Sequence, residues 1–323
     1  MSQTRLEVVT WGETMLRLSP PVGQSLESAQ ALELSVGGTE SNLAIALARL
    51  GRRVGWVSRL PENPLGRRIA REVAGHGVDV SHVLWTPDDR AGLIFIETAH
   101  PPRSNRVLYD RAHSALARLD AADLDYAYLA SAETLFLTGV TPALSEGCRA
   151  AWLRSAAAAK AAGRRVVVDV NHRATLWSAE RARETLEAVF PHADIVISAL
   201  GDLQTLFGMP RDAELAARTF REAYRLPLVV LTLGAEGALA CDGAVQRHPV
   251  FRTDVLDRIG AGDAFAAGFL HGERERGVAW GLRCGCALAA LKQTYRGDVT
   301  WSRAEDLRDL VEGAEVDPRR VLR

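Results

Sequence analysis

Cysteine is scarce: four in 323 residues, at Cys148, Cys241, Cys284 and Cys286. That is too few and too scattered for a disulfide framework. Cys284 and Cys286 fall two apart in a helical pattern, on different faces, so buried thiols are expected and a metal pair is not. No apolar signal core and no apolar run of membrane-spanning length occurs, so the chain is expected to be soluble and cytoplasmic. Charge is balanced, with a formal net of −1, and no block of one sign stands out. Basic residues come in short pairs such as Arg52-Arg53, Arg67-Arg68 and Arg164-Arg165, which read as solvated faces and exclude a nucleic-acid footprint. Internal repeats, low-complexity tracts and an interdomain linker are also absent, so residues 1–323 are expected to form one domain. Two common phosphate motifs fail at the most glycine-rich site, Gly260-Ala261-Gly262-Asp263-Ala264-Phe265. A dinucleotide fingerprint needs glycine where Phe265 stands, and a P-loop needs Lys and Ser/Thr where Asp263 follows Gly262.

What is present is an alternation of short apolar runs and longer helical patterns, within a chain that is 47% hydrophobic. The pattern predicts an α/β fold with a mostly parallel sheet and crossover helices. Candidate strands are Glu7–Trp11, Val54–Ser58, Thr134–Leu137, Arg165–Val170, Ile195–Ser198 and Leu228–Leu233. Their continuous Val/Ile/Leu character fits strands covered on both faces. Helical patterns occupy Ser41–Leu50, Leu65–His76, Pro142–Ala162, Ala179–Phe190, Ala213–Tyr224, Ala261–Arg276 and Trp280–Lys292. Gly51, Gly77 and Gly163 stand where three of them should end in a left-handed cap.

Two stretches break the rhythm. Leu32–Val36, and Gly92–Glu97 with Arg106–Arg111 around a turn at Pro101-Pro102, read as strands with no helix between them. They predict a small antiparallel sheet drawn from about 13–36 and 90–112, placed to close over a substrate and exclude water.

The Asp257–Gly268 run carries the most chemistry. Glycine lets backbone N–H groups crowd a ligand, and the first N–H groups of a helix have no intrahelical acceptor. The helix dipole adds positive character there, so Gly260, Ala261 and Gly262 read as an anion site. Asp263 stands at its edge, able to take a proton from a hydroxyl attacking the bound phosphate. The alternative is an ordinary glycine-rich helix start. A second such start, Ser35-Val36-Gly37-Gly38-Thr39-Glu40-Ser41-Asn42, permits close backbone approach of a ligand, and Asn42 offers both donor and acceptor. That suits a polyhydroxylated molecule, although a simple turn and N-cap would look alike.

Together, Gly37-Gly38 with Asn42 and Gly260-Ala261-Gly262-Asp263 resemble the two signatures of the ribokinase-like (pfkB) carbohydrate kinases, and the resemblance spans essentially the whole chain. It implies a three-layer sandwich with a mostly parallel central sheet and a small β-sheet lid. Within that family the chain most resembles the 2-keto-3-deoxygluconate kinases. Tyr109-Asp110-Arg111 with Ser114 is similar to their lid segment contacting the acid sugar. Leu137-Thr138-Gly139-Val140-Thr141-Pro142 and Asp169-Val170-Asn171-His172-Arg173 are similar to their substrate-side segments. Lys292-Gln293-Thr294 through Gly297-Asp298 is similar to their C-terminal segment, whose acid faces the substrate.

The resemblance implies ATP-dependent phosphorylation of the terminal hydroxyl of 2-keto-3-deoxygluconate. Asp263 would be the base, with Gly260, Ala261, Gly262 and Arg173 assisting. Gly37, Gly38, Asn42, Tyr109, Arg111, Val140 and Asp298 would contact the sugar, Arg111 pairing with its carboxylate as a guanidinium can. Thr232, Gly234, Gly237, Gly260, Gly262, Ala287 and Ala290 would line the nucleotide, with Ala287 and Ala290 beside the adenine. ATP and Mg²⁺ are implied as cofactors, Asp202 approaching the metal through water; a monovalent cation is left open, as is a dimer through the lid. Several positions depart from the family pattern. Asp110 stands for a second tyrosine and Ile94 for another, Ala199 opens the segment where an Asn-x-x-Glu is common, and Thr232 replaces a lysine. Alternatives stay open at this stage: 2-keto-3-deoxygalactonate, fructose, ribose or a nucleoside as acceptor, a silent sugar- or nucleotide-binding regulator, or an NAD-dependent oxidoreductase.

Overall fold

The structure, a computed structural model, describes residues 5–99 and 102–313; Pro101 of the expected Pro101-Pro102 turn lies outside them. In chain order the strands are β1 Val8–Trp11, β2 Met15–Ser19, β3 Glu33–Gly37, β4 Val54–Val57, β5 Arg59–Pro61, β6 Leu84–Thr86, β7 Leu93–Glu97 and β8 Arg106–Asp110. They continue with β9 Thr134–Thr138, β10 Arg165–Asp169, β11 Ile195–Ala199, β12 Leu228–Thr232, β13 Ala238–Cys241 and β14 Val245–His248. Eight of them form one sheet in the order β14-β13-β12-β11-β10-β9-β1-β4. From β12 to β4 every pairing is parallel, while β13 and β14 add an antiparallel edge.

Strand β10 shows why the sheet is covered twice. Val167 packs into a core with the Thr39–Arg49, Ala261–Arg276 and Val278–Lys292 helices, and Val166 and Val168 pack into another with Trp152 and Ala156 of the Glu146–Ala161 helix. Alternate side chains point to opposite faces of a strand, so a strand apolar at every position needs a helix layer on each side. The result is the expected three-layer sandwich. Gly51, Gly77 and Gly163 take the positive φ values, 83°, 89° and 68°, that the sequence pattern assigns to helix ends.

The smaller sheet runs β3-β2-β7-β8. It corrects one expectation: β2 and β7 pair in parallel, so the sheet is mixed rather than antiparallel. The intervening chain between β2 and β7 includes β4 and two helices, long enough to return β7 in the same direction. All four cysteines are buried free thiols.

Candidate active site

The parallel strands end on one edge, and a cavity of about 490 Å³ opens there beneath the smaller sheet. Carboxyl ends of parallel strands are where open α/β sheets bind ligands. Thr138 ends β9, Asp169 ends β10, Ala199 ends β11 and Thr232 ends β12; the last three line the cavity. The smaller sheet contributes Met15, Ile94, Ile96, Val107 and Tyr109 to its roof, and Arg111 follows just past the end of β8. A second cavity, about 1060 Å³, continues past Thr232, Arg258 and Gly262, the residues common to both walls.

Asp263 lines the smaller cavity next to the shared Gly262, on the first turn of the Ala261–Arg276 helix, with its side chain buried. Asn42, on the first turn of the Thr39–Arg49 helix, donates from Nδ2 to Asp263 Oδ2 at 2.7 Å. Burial raises the Asp263 pKa to about 6, with Asp298 nearby adding to the shift, while the Asn42 hydrogen bond and Arg173 oppose it. Gly260 is the N-cap in a left-handed conformation, φ 81°, and a Cβ there would overlap the Asp298 carbonyl oxygen. Only glycine meets both demands. Gly262 differs: a Cβ would meet no protein atom, so its open side faces the two cavities.

The first glycine pair has another use than the one expected. A Cβ at Gly38 would overlap the Glu13 carbonyl oxygen, and one at Gly37 would overlap the Asp298 carboxylate. These glycines admit the protein's own neighbouring segments. Both still line the smaller cavity, with Val140, Asn42, Arg173, Asp202 and Asp298.

Arg111 reaches the cavity roof but is not free. Its Nε donates to Glu13 Oε2 at 2.7 Å, with a second contact from Nη2 at 2.6 Å, and Ser114 Oγ donates to the other Glu13 oxygen. Arg173 makes no ion pair among the described residues, so it is an uncommitted cation on that wall. Tyr109 lies beside Arg111, the guanidinium 5.7 Å from the ring centre.

On the other side, Thr232, Gly234, Gly237, Ala261, Gly262 and Ala290 line the larger cavity with Phe251, Phe265 and Ala289. Ala287 does not belong to it. It is fully buried in the core, because the helix turns that position toward the sheet, and Ala289 takes its place on the wall.

Four further ionisable residues, two of them within the quoted motifs, had no role assigned from the sequence. Glu40 is buried, its Oε1 accepting 2.6 Å hydrogen bonds from both Thr138 and Thr141, and burial raises its pKa to about 7. Asp169 is raised to about 7 by burial, with Asp263 and Asp202 adding to the effect. Glu13 holds Arg111, and Arg17 is buried between Asp257 and Asp298. Glu40 stands within the second glycine motif and Asp169 opens the Asp169–Arg173 segment; nothing in the sequence pattern marked Glu13 or Arg17.

No three His, Cys, Asp or Glu side chains among the described residues converge tightly enough to hold a metal by themselves. Asp202 lines the smaller cavity, accepts the His172 backbone N–H at 3.2 Å, and has its pKa raised by burial. One carboxylate with room around it fits Mg²⁺, which keeps several waters and is held chiefly by phosphate oxygens.

Two adjoining cavities that share Gly262, with the acid Asp263 beside it on a helix start under a small sheet, have the layout of a site for two substrates. The chain belongs to the pfkB carbohydrate kinase family, whose model matches residues 5–304. It is similar to a 2-dehydro-3-deoxygalactonokinase from Haloferax volcanii, 39% identical over 96% of this chain and 98% of that one. It is also similar to a 2-dehydro-3-deoxygluconokinase from Thermoproteus tenax, 32% identical over 92% of this chain and 91% of that one. Among solved structures, the 2-dehydro-3-deoxygluconokinase of Thermotoga maritima superposes with a TM-score of 0.89 at 28% identity, covering 96% of this chain and 99% of that one. Membership in a carbohydrate kinase family replaces the alternative of an NAD-dependent oxidoreductase.

Proposed function

We propose that this kinase transfers the γ-phosphoryl group of ATP to the terminal hydroxyl of 2-keto-3-deoxygluconate. The carrying observation is that Asp263, on the Ala261–Arg276 helix, and Arg111, beside the smaller sheet, line one cavity. An acceptor with a carboxylate at one end and a primary hydroxyl at the other matches those two ends. A second reading, the galactonate epimer, is supported by the 39% identity to the galactonokinase.

In the proposed step the acceptor oxygen forms a bond to the γ-phosphorus as the bond to the β-bridging oxygen breaks. The hydroxyl proton passes to Asp263 and ADP leaves. Asn42 holds Asp263 Oδ2, which leaves Oδ1 for the hydroxyl. The N–H groups of Gly260, Gly262 and Asp263 meet charge on the transferred group, with Arg173 beside them, while the Ala261 N–H is held by the Arg258 carbonyl at 3.2 Å; one free donor of this kind is worth about 3–4 kcal/mol in favourable cases. Mg²⁺, when bound beside Asp202, neutralises phosphate charge. Arg111 and Tyr109 position the acid end, and the apolar roof of Met15, Ile94, Ile96 and Val107 excludes water.

The test is ADP release with both epimers, fructose and ribose, beside Asp263→Asn. A higher kcat/KM for the gluconate acid than for its epimer or the neutral sugars supports the reading. Preference for the epimer replaces the substrate, and preference for a neutral sugar removes the carboxylate role of Arg111.

A further inference from the structure

Arg17 lies on β2, within Met15-Leu16-Arg17-Leu18-Ser19, yet only 3% of it is exposed. Its Nη1 donates to Asp298 Oδ1 at 2.5 Å, its Nη2 to Asp257 Oδ2 at 2.9 Å, and its Nε to Ser19 Oγ at 3.1 Å. The two acids come from different segments, and each touches the glycine-rich loop in its own way. Asp257 begins that loop and shapes it: its Oδ1 accepts the Ile259 N–H at 3.0 Å and its Oδ2 the Gly297 N–H at 3.1 Å. Its carbonyl also accepts from the buried ammonium of Lys292 at 2.9 Å. Asp298 forms the loop's other wall. Its carbonyl oxygen fills the space that a side chain at Gly260 would need, and its carboxylate fills the space beside Gly37.

One guanidinium thus ties the lid sheet to both sides of the loop that ends in Asp263. Two acids this buried repel each other unless a cation stands between them, and a planar fork can face two carboxylates on separate segments at once. A lysine has one nitrogen and reaches only one of them well.

We propose that Arg17 is a positioning residue for phosphoryl transfer. It holds the N–H donors of Gly260, Gly262 and Asp263 and the carboxylate of Asp263 in register with the acceptor lying under the lid sheet. The inference rests on reading Gly260–Asp263 as the anion site and base of the kinase. Arg17 itself touches neither substrate: it is absent from the walls of both ligand cavities. Its removal therefore acts on the bond-making step through geometry, where a displacement of about 1 Å costs on the order of a hundredfold.

The experiment compares Arg17→Lys and Arg17→Met with wild type and Asp263→Asn, using whichever sugar acid wild type phosphorylates. It measures kcat, the acceptor KM, the dissociation constant for ADP and the thermal midpoint. Expected for Arg17→Met is a loss of about a hundredfold in kcat, with acceptor KM and ADP affinity within about threefold, at a temperature where the variant is folded. Arg17→Lys recovers part of the loss, about tenfold below wild type, and dilute guanidinium restores part of the Arg17→Met rate. The proposal is overturned by wild-type kcat per folded molecule, by a loss confined to acceptor KM, or by failure of both variants to fold. If Asp263→Asn keeps wild-type turnover, the reading of the loop itself fails. An inactive Asp263→Asn beside a fully active Arg17→Lys and Arg17→Met sinks only the role of Arg17.

Discussion

Asn42 Nδ2 lies 2.7 Å from Asp263 Oδ2, joining two helix starts that are 221 residues apart in the chain. The bond locks the rotamer of the acid and occupies one of its oxygens. On the proposed assignment of Asp263 as the base, Asn42→Ala is expected to lower kcat by about tenfold to a hundredfold by releasing that rotamer, and Asp263→Asn to lower it further. Steady-state kinetics of both variants check the order; equal activity of Asn42→Ala and wild type contradicts it.

Burial places the Asp263 pKa at about 6, and a base works only when deprotonated. Turnover is therefore expected to hold on the alkaline side and to fall tenfold per pH unit as pH drops below about 6. A pH–kcat/KM profile shows this limb. In Asn42→Ala the limb moves to higher pH, because the hydrogen bond is one of the influences lowering the Asp263 pKa.

Glu40 is raised by burial to about 7. A carboxyl whose folded pKa lies above its unfolded value binds more protons when folded, so its contribution to stability is complete below the unfolded pKa near 4.5. That contribution is lost as pH rises through about 7, on the order of 3 kcal/mol in all. Glu40→Gln, which keeps an oxygen for Thr138 and Thr141, is expected to flatten the fall in thermal midpoint between pH 5 and 8. An unchanged slope would show that Glu40 titrates normally.

The pairing of Arg111 with Glu13 sets up a competition with any acceptor carboxylate. Glu13→Gln is expected to lower KM for the acid sugar, and Arg111→Ala to raise it by about tenfold or more, since a charge-assisted pair is worth roughly 1.5–3 kcal/mol. The readout is KM for acid against neutral sugars. Equal shifts for both classes would remove the carboxylate from the account.

Gly260 and Gly262 separate backbone need from ligand need. Gly260→Ala forces a side chain into φ 81° and into the Asp298 carbonyl, so both thermal midpoint and turnover should fall. Gly262→Ala meets no protein atom, so the midpoint should hold while nucleotide affinity drops. Thermal melts with and without ADP distinguish the two.

The layer architecture was legible because its determinants are local. The Ala213–Tyr224 and Ala261–Arg276 helices have the bounds that their periodicity predicts, and the six parallel strands lie within a residue or two of their apolar runs. The short elements escaped for reasons equally local. The Leu200–Phe207 helix has eight residues and no side-chain N-cap, and the β13 strand Ala-Leu-Ala-Cys carries little β-branched signal. Glycine told its story only in part: the φ of Gly260 is a chain property, but what fills the space beside Gly37 and Gly38 is not.

What the sequence determined by itself is the order of covered strands, the helix starts rich in glycine, and an acid set at one of them. Those follow from periodicity, caps and backbone sterics, which act over a few residues. Only the tertiary structure decided that Asn42 meets Asp263, that Glu13 claims Arg111, that Ala287 faces the core, and that Arg17 is buried between Asp257 and Asp298. An arginine in an alternating strand looks like a solvated one until its partners arrive, here 240 and 281 residues later. Charge, proton affinity and positioning depend on which distant groups share the same low-dielectric space, and folding alone brings them there.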